Sequence, residues 1–285
     1  MLAPVTQESI ARLLGRTARG RIERFGPPGA YVALEGAAIL LPNAEVPEGA
    51  KIGDELDVFV HLDSDDRPIV TRREPAIRLG EVAFLEVVDV APFGAFVDWG
   101  LVKHLLVPLA EQTREMSRGE RYAIGLFVDR SGRLAGTMRV SEMLREKAKV
   151  DLDTWVTGEA WRQEASIGLF AIVDKKWVGL VPRAEPHRLG RGERARFRVT
   201  NILPDGKIEL SLRGLAHEER DADAEKILAA LRGPRPPRVG DASSPETLRA
   251  TFGLSKKAFK RAAGALLKRG LVEIDADGFF TLRAK

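Results

Sequence analysis

The sequence predicts a mainly β protein: three small barrels in tandem, followed by a short α+β unit. Three observations carry this expectation. Four landmarks recur three times in the same order, and a repeat of that kind marks a duplicated structural unit. Phe-Gly-Ala-Phe (Phe93 to Phe96) has counterparts in Pro-Gly-Ala-Tyr (Pro28 to Tyr31) and Ile-Gly-Leu-Phe (Ile167 to Phe170). Leu-Val-Pro-Leu-Ala-Glu (Leu106 to Glu111) answers to Leu-Leu-Pro-Asn-Ala-Glu (Leu40 to Glu45) and Leu-Val-Pro-Arg-Ala-Glu (Leu180 to Glu185). A Gly-acid pair follows at Gly53-Asp54, Gly119-Glu120 and Gly192-Glu193, and each copy closes on a short run ending at Arg72, Arg139 or Arg213. The spacing is consistent: Gly29 to Gly94 is 65 residues and Pro42 to Pro108 is 66, while Gly94 to Gly168 and Pro108 to Pro182 are both 74. The second observation is period-2 alternation within the copies, as in Leu56 to Leu62, which marks strands with one buried face. The third is that this pattern stops at Arg213 and helical periodicity replaces it.

Residues 1–14 place Ile10, Leu13 and Leu14 where either a lead-in helix or a strand would use them. In the first copy, strands are expected at Tyr31 to Leu34, Ala37 to Leu41, Leu56 to Leu62 and from Ile69 to Thr71, with a polar turn over Asp63 to Arg67. The second copy predicts Gly80 to Asp89, Gly94 to Trp99, Leu105 to Val107, Tyr122 to Val128 and Leu134 to Met138. Val140 to Lys149 is rich in helix formers and is expected to be a short bridging helix. In the third copy Arg194-Ala195-Arg196-Phe197-Arg198 alternates, which puts three arginines on one face of a strand. That face is either a solvated barrel edge or a ladder for phosphates. Five short strands in about 65 residues are too few for a two-sheet sandwich and suit the five-stranded OB-fold barrel. The expected domains are therefore 1–75, 76–149, 150–213 and 214–285.

In the last segment Ala224, Ile227, Leu228 and Leu231 share one helical face. Gly233-Pro234-Arg235-Pro236-Pro237 breaks the chain. Pro245 follows Ser244 as a helix start, and Gly253 stops that helix. Ser255 caps the next helix, in which Ala258, Phe259, Ala262, Ala263, Leu266 and Leu267 form the apolar stripe. Leu271 to Ile274 and Phe279 to Leu282, joined at Asp275 to Gly278, read as a hairpin. Three helices and a terminal hairpin describe a winged helix.

The absence of cysteine excludes disulfides and thiolate metal sites. His61, His104, His187 and His217 lie too far apart for a metal-ligand spacing, no apolar run reaches 18 residues, and no signal-peptide core precedes Arg24. A cytoplasmic protein with no metal and no cofactor is expected, with no membrane as a partner. Charge is unevenly spread. Residues 1–75 hold nine basic and twelve acidic groups, whereas 214–285 hold fourteen and ten, so the C-terminal part is the expected contact for a polyanion. No P-loop, metal-spaced carboxylate cluster or nucleophile motif is present, and no enzyme is expected.

The second copy resembles the S1-type RNA-binding domain. Its Phe93 to Val97 matches that family's Phe-Gly-Ala-Phe-Val, and Asp129 with Arg133 falls on the family's final Asp-x-x-x-Arg turn. Asp63 with Arg67 does so in the first copy, and Lys207 alone in the third. The family's histidine is replaced by Pro42, Pro108 and Pro182. Three such barrels followed by a winged helix are similar to the conserved virulence factor B family, over nearly the whole chain. The resemblance implies a non-catalytic RNA-binding regulator acting after transcription. OB folds stack bases on aromatics while cations follow the backbone. Phe93, Phe96, Tyr31 and Phe170 are the expected stacking residues, although Phe93 and Phe96 could instead be core. Asp129, Arg133, Arg67, Lys207, Arg194, Arg196 and Arg198 are the expected polar contacts. Trp99, Trp161 and Trp177 are expected to support the barrels or their contacts. Lys256, Lys257, Lys260, Arg261, Lys268 and Arg269 lie mostly off the apolar stripe of the winged helix. They form either a solvated face or a contact to nucleic acid. The partner implied is single-stranded RNA, with mRNA the expected form. Duplex DNA, read through the winged helix by a transcription regulator, is the alternative.

Overall fold

The computed structural model describes residues 7–144, 147–213 and 216–283. A short helix, α1 (Gln7–Leu13), precedes a barrel of β1 (Thr17–Gly26), β2 (Gly29–Leu34), β3 (Ala37–Pro42), β4 (Glu55–Leu62) and β5 (Pro68–Thr71). The second repeat forms β6 (Val82–Ala91), β7 (Gly94–Asp98), β8 (Leu105–Pro108), β9 (Arg121–Val128) and β10 (Leu134–Thr137). A single turn of helix, α2 (Val140–Met143), follows. The bridging helix expected over Val140 to Lys149 is thus cut short: Lys147 to Val150 are not helical, and residues 145–146 lie outside the described residues. The third repeat forms β11 (Trp155–Glu164), β12 (Gly168–Val173), β13 (Trp177–Pro182), β14 (Arg194–Ile202) and β15 (Ile208–Ser211).

Each landmark of the repeat has a mechanical job in the barrel. The first strand of every copy is long and bends at a bulge, between Ile22 and Arg24, Val87 and Asp89, and Ala160 and Arg162. The Gly-acid pair grips that bend. Gly53 donates its amide to Ile22 and Asp54 accepts from Ile22; Gly119 and Glu120 do the same with Val87, and Gly192 and Glu193 with Ala160. The next hairpin needs glycine opposite proline, and the pairs are Gly29 with Pro42, Gly94 with Pro108 and Gly168 with Pro182. A Cβ on Gly29 would stand 1.9 Å from the Leu41 carbonyl oxygen, and one on Gly168 would stand 2.1 Å from that of Val181, so no other residue fits. The recurring glutamate closes two of the barrels. Glu45 accepts from the Thr71 hydroxyl at 2.6 Å and the Arg72 amide at 2.8 Å; Glu185 accepts from the Ser211 hydroxyl at 2.9 Å and the Leu212 amide at 2.6 Å.

The first barrel closes in the order β1-β2-β3-β5-β4 and the third in the corresponding order β11-β12-β13-β15-β14. In the second, β8 and β10 share no backbone ladder, and the sheet runs β10-β9-β6-β7-β8. It closes instead through side chains, with Gly136 of β10 lying beneath Leu105 and Val107 of β8. These barrels form one compact unit, Met1–Leu212. The first two share a core, because Phe59 of β4 packs edge-on against Trp99 at 5.8 Å within the cluster of Val87, Val97, Ile124 and Leu126. Trp99 is buried and donates its indole N–H to the Lys103 carbonyl at 2.6 Å, the supporting role expected of it. The second and third meet through Val82, Phe84, Val140, Leu144 and Ile172, with Trp161 and Val178 at the edge.

The second unit, Arg213–Lys285, holds α3 (Ala216–Leu231), α4 (Pro245–Phe252), α5 (Lys256–Lys268) and the hairpin β16 (Val272–Ile274) with β17 (Phe280–Leu282). Ser244 accepts from the Thr247 amide and Ser255 from the Ala258 amide, the two caps the sequence predicts. Gly253 ends α4 in the left-handed conformation at φ 70°. Ala224, Ile227, Leu228 and Leu231 are buried with Phe252, Phe259 and Leu266. Leu267 departs from expectation: it is 36% exposed and lies at the edge of the α5 stripe. Four neighbouring buried positions already fill the core side of that helix. Among the described residues no helix is long and apolar enough to cross a membrane.

Candidate nucleic-acid interface

In the second and third barrels, the second strand and the turn between the last two strands border a common cavity. Phe96 and Arg133 border one cavity of about 340 Å³. Phe170 and Lys207 border another of about 380 Å³. The two pairs occupy equivalent places, since Phe96 and Phe170 follow Gly94 and Gly168 by two residues. Arg133 and Lys207 likewise accept the hydrogen bond that closes their turns, from Asp129 and Leu203. Both aromatics are half-buried, and Phe93 is 60% exposed beside Phe96, with their rings edge-on at 6.0 Å. An exposed ring next to a half-buried one is unlike a core pair, and it leaves π-surface for a base.

The turns share an architecture. Asp129 accepts from the amides of Ser131 and Arg133 and from the Ser131 hydroxyl, leaving the Arg133 guanidinium to reach elsewhere. Burial alone would raise the Asp129 pKa, but these hydrogen bonds hold it below the ordinary aspartate value. Asp63 differs. Its carboxylate accepts from the Arg67 amide and also from the Arg67 Nε at 2.8 Å, so Arg67 is folded back onto its own turn. Asp65 holds the same guanidinium at 2.9 Å. Lys207 similarly pairs with Asp205 at 2.7 Å, and that hydrogen bond is the main reason the Asp205 pKa is depressed.

The first barrel also reaches into the second barrel's cavity. Asp66 pairs with Arg133 at 2.5 Å, and Lys103 donates to the Asp63 carbonyl at 2.6 Å. His61 and Leu62 line the same space, and burial pushes the His61 pKa down. Sequence reasoning did not single out Lys103 or Asp66. Lys103 stands in the stretch between repeated motifs, and only the docking of the first barrel's turn brings Asp66 to both Lys103 and Arg133.

Other expected residues are placed differently. Tyr31 lies under the Arg24 guanidinium at 3.4 Å, so one face of its ring is covered. Phe170 shares Arg162 with Trp161, at 4.6 and 4.8 Å. The three-arginine ladder is not uniform. Arg194 and Arg196 are exposed, Arg196 lying 5.4 Å from the Trp155 ring, whereas the Arg198 side chain is only 13% exposed and is ion-paired with Asp153. All three nevertheless share one face of β14, because its pairing with β11 runs without a shift from Arg194 to Arg198 and the bend comes later, between Val199 and Asn201. In the separate C-terminal unit, Lys257, Lys260, Arg261, Lys268 and Arg269 are exposed and Lys256 is half-buried. Lys260 faces Asp241 at 3.8 Å.

Comparison with known proteins agrees with this architecture. A family model of the S1 domain matches residues 14–73, the first barrel, although Phe-Gly-Ala-Phe-Val is spelled out only in the second. A model of the CvfB-like winged helix domain matches residues 225–280. The chain is 28% identical to conserved virulence factor B of Staphylococcus aureus over 278 residues, which is 89% of this chain and 92% of that protein. A Streptococcus pneumoniae multidomain protein with nucleic acid binding domains, known from its crystal structure, aligns over 95% of this chain and 99% of that one, at 26% identity and a TM-score of 0.42. YitL of Bacillus subtilis is 35% identical over 250 residues, 82% of each chain. With that likeness running from the S1 barrel to the CvfB-like winged helix, the chain belongs to the conserved virulence factor B family.

Proposed function

We propose that this nucleic-acid-binding protein engages single-stranded RNA, without chemical conversion, in post-transcriptional control of gene expression. One observation carries the reading. Barrels two and three each set a half-exposed aromatic, Phe96 or Phe170, beside a cation, Arg133 or Lys207, at the rim of a cavity large enough for a base. Single strands supply unstacked bases to such rings and phosphates to such cations; a duplex buries its base faces and supplies only phosphates. Phe93, beside Phe96, and Asp129 extend the same surface, with Asp129 acting through the shape of its turn; Arg194 borders a different depression, beside Arg78 and Lys175, and Arg196 lies by Trp155. The first barrel contributes less directly, because Tyr31 and Arg67 are both engaged within it.

A filter-binding comparison of single-stranded RNA, duplex RNA and duplex DNA at two salt concentrations tests the proposal. Single-stranded RNA is expected to bind tightest. Preference for a duplex of either kind, persisting at the higher salt, would overturn it. A second reading has its own support: exposed Lys257, Lys260 and Arg261 lie on α5, which follows a tight turn at Gly253 and precedes a hairpin wing. Helices so placed enter the DNA major groove in helix-turn-helix proteins. That reading expects one duplex DNA sequence to outcompete RNA.

A further inference from the structure

The seam between the second and third barrels carries cations that nothing in the barrel faces uses. Arg114 lies 5.0 Å from the Tyr122 ring, and Arg191, from the loop before β14, lies 5.6 Å from the Phe84 ring. No described carboxylate oxygen stands within 4.0 Å of either guanidinium. Partial burial, and then the nearby charge of Arg114, hold the Arg191 pKa below the usual arginine value. Two like charges kept together without a counterion form a place where an anion is stabilised.

The seam is also fixed before any ligand arrives. Arg121 donates to the Phe84 carbonyl at 2.7 Å and to the Gly192 carbonyl at 3.4 Å. Glu159 accepts from the Phe84 amide at 2.9 Å, and the Val82 amide donates to Lys175 at 2.7 Å. Gly192 lies so close to the Phe84 ring that an added Cβ would stand 3.0 Å from it. The loop carrying Arg191 is therefore pinned onto the second barrel.

Three depressions run together here. One of about 450 Å³ is lined by Arg114, Arg139, Arg191 and Trp161. It shares Trp161 and Ser141 with the cavity at Phe170 and Lys207, and shares Arg114 and Arg191 with a broad cleft beside Tyr122. Glu142 borders the first, and Glu115 and Glu120 the last. We propose that a single strand leaving the face of the third barrel crosses this seam, placing backbone phosphates on Arg114, Arg139 and Arg191 and a base against Trp161. The proposal rests on the single-strand reading given above and adds the direction the strand takes.

The test compares wild type with Arg114→Gln/Arg191→Gln and with the charge-keeping Arg114→Lys/Arg191→Lys, each checked for an unchanged melting transition. Affinity for a single-stranded RNA of about fifteen nucleotides, long enough to span more than one barrel, is measured across a salt series. Losing two phosphate contacts at about 0.7 each should flatten the log–log salt slope by about 1.4 in the glutamine variant, with affinity down about tenfold at low salt. The lysine variant should keep most of the slope. A folded glutamine variant with unchanged affinity and slope overturns the seam site alone. Failure of wild type to bind the RNA at all overturns the single-strand reading, and the strand path with it. Inorganic pyrophosphate provides the remaining arm. If it stabilises wild type saturably, and the glutamine variant loses that stabilisation while keeping the wild-type RNA slope, the seam takes free phosphate and the strand path is wrong.

Discussion

Replacing Phe96 by alanine separates a binding ring from a structural one. The ring is half-buried on β7, touches Phe93 edge-on at 6.0 Å, and borders the 340 Å³ cavity. Losing one base stack weakens binding by about 1–3 kcal/mol, which is about 5- to 150-fold in affinity. The cost to the fold should be smaller than for a core ring. An edge-on aromatic pair is worth about 0.5–1.5 kcal/mol, whereas truncating a fully buried phenylalanine costs about 3–5 kcal/mol. Phe59, 2% exposed and packed on Trp99, serves as the comparison: its alanine variant should lose stability first. The assay is fluorescence anisotropy with a short single-stranded RNA over a salt series, paired with a thermal melt. Because Phe96 carries no charge, its removal should lower affinity at every salt concentration and leave the log–log slope alone. A folded Phe96→Ala protein with wild-type affinity would remove this ring from the interface. So would a stability loss as large as that of Phe59→Ala.

Three further outcomes follow from the same geometry. Asp66→Asn should strengthen single-stranded RNA binding by up to about fivefold, since an exposed ion pair worth about 0.2–1 kcal/mol no longer competes for Arg133; weaker binding in anisotropy would contradict this. Lys257→Gln/Lys260→Gln/Arg261→Gln should lower the salt slope by up to about 0.7 per lost contact without shifting the melt, because all three side chains are exposed. Acidification should lower stability in two stages. His61 has a depressed folded pKa, so its contribution fades as pH falls below the ordinary 6.5. Asp63, Asp129 and Asp205 also have depressed folded pKa values, so theirs fades only as pH falls through the ordinary 3.8 and below. Melting curves of wild type and His61→Gln across this range check the assignment, which requires the earlier stage to vanish in the variant.

Much of the architecture was legible in the sequence because each landmark is a local steric or hydrogen-bonding demand. Glycine opposite Pro42, Pro108 and Pro182 is required by the approach of a facing carbonyl at Gly29 and Gly168, and the Gly-acid pair by the bend of a long strand. The same holds for Ser244 and Ser255, whose side chains meet amides three residues ahead. Where the sequence misled, distant contacts decided. Val140 to Lys149 has helical composition, but only Val140–Met143 forms a helix, and the Ala148 amide instead donates to Gly206 of the third barrel. Alternation correctly put Arg198 on the face of Arg194 and Arg196, but not the distant Asp153 that pairs with it and leaves its side chain largely covered.

By itself, the sequence determined three five-stranded units, their order, the winged helix and the aromatic and basic residues available to each. Those depend on periods of two and 3.6 residues and on turn chemistry, which act over a few positions. Only tertiary structure decided which of those residues are available to a ligand. Arg67 folds back on Asp63, Arg24 covers Tyr31, Asp66 reaches Arg133 in the next barrel, and Arg114 meets Arg191 across a seam. The first two pairings form within one turn and across one hairpin, whereas the last two join residues brought together by the docking of one barrel on another, and no local pattern encodes that docking.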